Sequence, residues 1–122
     1  MDLIRVMARV RGIASANGGY ESDFLVDTGA TATDSLAPSA ELRKAGIQPL
    51  GKTVYEVANG AVEEYEFGLA EITFMGEVTA GRIVFGPDNA EPLLGVTALE
   101  SVGITIDPAN RTLKRLPAIP LK

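Results

Sequence analysis

The sequence contains no cysteine and no histidine. Without cysteine there is no disulfide framework, no thiol nucleophile and no thiolate metal site. Without histidine the Ser-His-Asp and Cys-His mechanisms are excluded, together with the commonest metal ligand. Hydrolytic chemistry on this chain would therefore be run by carboxylates. No apolar run approaches the ~20 residues of a membrane span. The start, Met1-Asp2-Leu3-Ile4-Arg5-Val6, lacks the charged lead and long apolar stretch of a signal peptide. The expectation is a cytoplasmic protein with no membrane partner. Positive charge is also scarce: 11 basic against 16 acidic residues leave a net charge of −5. That balance argues against nucleic acid as a partner. Arg5, Arg9 and Arg11 read as the solvated face of a strand.

What is present is one domain's worth of chain, residues 1–122, with 46% hydrophobic residues. There is no linker and no low-complexity segment. Residues 3–11 alternate, with Ile4, Val6, Ala8 and Val10 on one face, which predicts a half-buried strand. Ala16-Asn17-Gly18-Gly19 signals a hairpin turn, and Tyr20 to Val26 returns as a second strand. Pro38 and Gly46 bracket a short helix at about residues 38–45. Thr53 to Phe74 reads as a long hairpin whose tip is Asn59-Gly60, a dipeptide suited to the positive φ angles of a type I′ turn. Met75-Gly76 turns again, and Glu77 to Phe85 forms a further strand. Leu93-Leu94-Gly95 precedes two helical turns over Val96–Val102. Ile104-Thr105-Ile106 and residues 111–116 close the chain as strands, before Pro117 and Pro120 stop regular pairing.

The most informative stretch is Phe24-Leu25-Val26-Asp27-Thr28-Gly29-Ala30. An apolar run of β character ends at a carboxylate, followed by a hydroxyl and a glycine. A strand buried on both sides would hold Asp27 rigidly at the edge of a core. Taken alone, the stretch also reads as a strand ending in an Asp-initiated turn.

The order of elements widens the comparison. A hairpin leads to an Asp-Thr-Gly loop, then a short helix, then a long hairpin, then an apolar-apolar-Gly element with a second short helix. Across nearly the whole chain this order resembles the retropepsin-like (retroviral-type, clan AA) aspartic proteases. The resemblance implies an all-β fold, a closed β-barrel with one or two short helices, acting as a C2 homodimer. It implies that Asp27 is catalytic and that Thr28, Gly29 and Ala30 support the active-site loop. Thr28 would bond across to the partner's loop, and Gly29 would offer backbone contacts to substrate. Asn59 and Gly60 would lie at the tip of a flap closing over substrate, and Leu93-Leu94-Gly95 would cross behind the catalytic loop.

Two carboxylates sharing one proton can hydrolyse a peptide without metal, cofactor or histidine. One chain supplies one Asp-Thr-Gly, so the dyad requires two copies. The expected activity is that of an aspartic endopeptidase acting on a peptide or protein substrate. The alternative is a non-catalytic dimeric peptide-binding or assembly module of the same fold. Asp34 departs from the family pattern, which carries an apolar residue there beside a substrate subsite. Three readings are open: Asp34 caps the following helix or turn, selects a basic substrate side chain, or crowds the dyad with charge. Glu63, Glu64 and Glu66 read as a solvated face. Asp88, Asn89 and Glu91 lack the regular ligand spacing of a calcium loop, so no metal is expected.

Overall fold

The alternating N-terminal stretch forms β1 (Leu3–Gly12), antiparallel to β2 (Tyr20–Asp27). The register sets Val6 opposite Phe24 and Val10 opposite Tyr20. Period-2 geometry buries Ala8 and Val10 and leaves Met7 and Arg9 exposed. The computed structural model describes residues 3–16, 18–27, 33–57, 59–119 and 121, with the backbone alone at Leu3 and Asp27. The tight turn expected at residues 16–19 is replaced by a longer excursion. Val10 opposite Tyr20 is the last β1–β2 pair, while β1 runs on to Gly12 paired through its other edge with β5 (Val62–Phe74). Asn17 of that turn lies outside the described residues.

β3 (Ser35–Pro38) leads directly into α1 (Ser39–Lys44), a helix placed as the sequence predicts. Proline suits this junction because its φ, −59° here, is already near the helical value. The helix drives Leu42 into the core, where Ala45 and Ile47 follow it.

The long hairpin comprises β4 (Gly51–Glu56) and β5 (Val62–Phe74), and β6 (Glu77–Gly86) continues the meander. β5 is the hub. Its first half pairs with β4, its second half pairs with β1, and from Phe67 onward its other edge pairs with β6. The tip is not the two-residue type I′ turn that Asn-Gly suggests. Val57 N–H donates to Ala61 O at 2.9 Å and Gly60 N–H to Val57 O at 2.9 Å, so the connection spans residues 58–60. Only Gly60, at φ +85°, takes the left-handed conformation among its described residues. That is the three-residue pattern in which a glycine closes the loop. Asn59 instead uses its side chain, whose Oδ1 accepts from Ala61 N–H at 2.9 Å. The turn with positive φ at both central residues is Met75-Gly76, at +53° and +77°.

α2 (Val96–Ser101) buries Ala98 and Leu99, and β7 (Ile104–Asp107) pairs with β8 (Thr112–Arg115) as a separate two-stranded sheet. The main sheet follows the order β2-β1-β5-β6-β3, with β4 attached to β5. β3 and β6 are parallel; the other paired strands are antiparallel. The two ends of this path, β2 and β3, both reach Leu93, which bridges to Leu25 on one side and Leu36 on the other. Strands thus carry most of the regular structure, around a core that includes Phe24, Leu42, Ile72, Phe74, Ile83, Leu99 and Ile104.

Candidate active site

Asp27 is the last residue of β2, directly after Phe24 and Val26, both buried. The Asp27 side chain and the loop residues Thr28, Gly29 and Ala30 lie outside the described residues. One short element holds the segments on both sides of the loop. On the incoming side, Leu25 N–H donates to Pro92 O and Leu94 N–H donates to Leu25 O, each at 2.9 Å. On the outgoing side, Leu36 N–H donates to Leu93 O at 3.0 Å and Leu93 N–H donates to Leu36 O at 2.8 Å. Thr97 N–H then donates to Thr33 O at 3.2 Å. Ser35, a buried polar residue, accepts from Gly95 N–H through its Oγ at 3.0 Å.

Glycine is required at 95 by space. A β-carbon there would stand 2.3 Å from Thr33 O and 2.6 Å from the carbonyl carbon of Asp34. The apolar-apolar-Gly element therefore crosses between β2 and β3, while the loop it is expected to cross behind lies outside the described residues.

Asp34 does not cap α1. That helix begins behind Pro38 with no bond from a capping side chain of its own. Its first turn is served from 48 residues downstream instead, where Asp88 Oδ1 accepts from Ala40 N–H at 3.2 Å. Asp34 Oδ2 accepts a hydrogen bond from the Tyr55 hydroxyl at 2.8 Å. Tyr55 lies on β4 opposite Glu63, one pair short of the last β4–β5 rung, Glu56 opposite Val62. Asp34 is thereby joined to the hairpin just below the tip that carries Asn59 and Gly60.

Burial, then the bond to Asp34 and its negative charge, hold the Tyr55 phenol above its ordinary value, with the Arg82 guanidinium opposing them. Arg82 itself stacks 3.9 Å from the centre of the Phe67 ring and donates to Thr53 Oγ1 at 3.2 Å. On the same face, Tyr65 packs against Tyr55 with ring centres 6.3 Å apart and donates to Glu63 Oε2 at 2.7 Å. The three glutamates do not form one solvated face. Glu63 shares the tyrosine face, whereas Glu64 and Glu66 point the other way, within ion-pairing reach of Lys52 and Arg43 respectively.

Sequence reading passed over Tyr55, Arg82 and Ser35. Tyr55 and Arg82 carry no motif, and Ser35 matters only through a partner 60 residues away. The remaining acidic candidates have other partners. Asp88 binds α1, and Glu91 pairs with Arg5 at 3.0 Å.

The family described as gag-polyprotein putative aspartyl protease matches residues 14–101. The match spans the Asp-Thr-Gly loop, the long hairpin and the crossing element. Among solved structures, the fold is similar to that of the simian foamy virus (mac) protease in solution, with a TM-score of 0.51 and 16% identity. That likeness covers 75% of this chain and 87% of the viral one. No curated protein matches the sequence. An Asp-Thr-Gly loop pinned on both flanks by an apolar-apolar-Gly crossing, within the matched span, places the chain in the gag-polyprotein aspartyl protease family, of retropepsin-like type.

Proposed function

We propose that the chain is an aspartic endopeptidase working as a C2 homodimer, with Asp27 of each subunit forming one catalytic dyad. The observation that carries this reading is the clamp of residues 92–97 on both flanks of the Asp27 loop. Such a clamp gives a carboxylate the fixed support that catalysis needs. A symmetric pair of chains brings two such loops to one axis. The bridges from Leu93 to both terminal strands also support a closed barrel.

Two carboxylates about 3 Å apart cannot both ionise, so they share a proton. The ionised member takes a proton from a water molecule, whose oxygen attacks the scissile carbonyl carbon. The protonated member gives its proton to the carbonyl oxygen. Collapse of the tetrahedral intermediate breaks the C–N bond, and the leaving amine takes a proton from the dyad. The apparent pKa values belong to the pair. In this reading Thr28 ties the two loops together, Gly29 presents backbone to the substrate and Ala30 keeps space beside the dyad. Asn59 and Gly60 close over an extended peptide held by strand-like pairing, and Asp34 borders its groove.

The test is Asp27→Asn. Cleavage of a peptide library is expected to vanish while sedimentation still reports a dimer. Cleavage retained by this variant overturns the reading.

A further inference from the structure

Among the described residues, β4 pairs with one strand of the main sheet, β5. An outer strand of this kind swings easily unless something else ties it down. Arg82 reaches Thr53 in the middle of β4, and the described attachment nearest the tip is the bond from Tyr55 to Asp34. Asp34 does not move independently. Its neighbours Thr33 and Ser35 are bonded to Thr97 and Gly95, and Leu36 is bonded to Leu93. The neighbours of Leu93, Pro92 and Leu94, in turn bind Leu25, two residues before Asp27. A connected framework thus runs from the Asp27 strand through the crossing element to Asp34, and from there to the hairpin.

We propose that Tyr55 is a positioning residue, a latch that ties the hairpin, through its bond to Asp34, to the segment that follows the Asp27 strand and loop. This rests on the endopeptidase reading for its consequence, but the latch itself is measurable without activity. It gives Asp34 a role different from the selection of a basic substrate side chain. The latch needs an acceptor oxygen at position 34, not a charge. Asn supplies the oxygen and Val does not.

The experiment combines hydrogen exchange with steady-state kinetics on the full chain. In Tyr55→Phe and in Asp34→Val, the amides of Val57 and Gly60 are expected to exchange up to about tenfold faster than in the wild type, the scale of one lost hydrogen bond. KM is expected to rise by a similar factor with kcat little changed. Asp34→Asn is expected to restore both readouts, and the double variant to be no worse than either single one. Unchanged exchange in Tyr55→Phe overturns the latch. So does an Asp34→Asn variant that fails like Asp34→Val on basic peptides alone, which would assign the carboxylate to substrate charge. A wild type without peptidase activity but with the expected exchange pattern would sink the endopeptidase reading and leave the latch standing.

Discussion

Gly95 lies against the backbone of Thr33 so closely that a β-carbon on it would stand 2.3 Å from the Thr33 carbonyl oxygen. The contact is backbone against backbone, and neither side can rotate away. It fixes the distance between the crossing element and the segment leaving the Asp27 loop.

Gly95→Ala is therefore expected to destabilise the fold by about 1–3 kcal/mol or more, as overpacking at a rigid contact does. Urea unfolding would measure the loss. On the endopeptidase reading, peptide cleavage should fall further than stability does, because the displaced segment follows the Asp27 loop.

Ser35→Ala removes the acceptor for Gly95 N–H at a site that is 2% exposed. An orphaned buried donor costs about 1–3 kcal/mol. The same unfolding assay should show a lower midpoint at unchanged slope.

The two faces of the first hairpin should respond differently. Phe24 is fully buried, so Phe24→Ala is expected to cost about 3–5 kcal/mol. Met7 is 55% exposed on the opposite face of β1, and Met7→Ala should stay within about 0.5 kcal/mol of wild type. Equal effects would mean that the alternation of β1 and β2 has been assigned to the wrong faces.

Two groups set expectations for pH. Burial and Asp34 raise the Tyr55 phenol above its ordinary value of 10.0, so folding favours the neutral form. Its contribution is whole below that value and is lost as pH rises through the higher folded one. Asp107 behaves in the opposite sense. Bonds from the Asn110 side chain and backbone, and from Ala109 N–H, favour its charged form and lower it from 3.8. Its contribution is present above 3.8 and is lost as pH falls through the lower folded value. Chemical denaturation of Tyr55→Phe should match the wild-type pH dependence in acid and diverge from it in strong base. Asp107→Asn should converge with the wild type only in strong acid.

Much of the local structure was legible in order. The alternation of β1, the Pro38 start of α1, the second helix after Gly95 and the Met75-Gly76 turn each follow from neighbours within a few residues. So does the placing of Asp27 at the end of a strand, although β2 buries Phe24 and Val26 on one face and leaves Leu25 half-buried, not both faces as its apolar run suggests. The Asn59-Gly60 tip was found, but its geometry was not, because strand register decides how many residues the turn must span. That register is set by β5, which pairs with three strands along its length. Asp34 shows the limit most clearly. Its sequence position beside a helix suggested a cap, yet the cap comes from Asp88 and the Asp34 carboxylate goes to Tyr55.

The sequence alone determined the kind of chemistry open to this protein. With no histidine or cysteine, and one Asp-Thr-Gly at a strand end, any hydrolysis would fall to carboxylates. Only the tertiary structure decided what holds the flanks of that loop and what bonds the hairpin to Asp34. Those contacts join residues 21, 60 and 68 positions apart, at Asp34–Tyr55, Ser35–Gly95 and Leu25–Leu93. Local patterning sets which residues turn inward and where a strand ends. Which buried partners then meet depends on the packing of the whole sheet, and no window of neighbouring residues contains it.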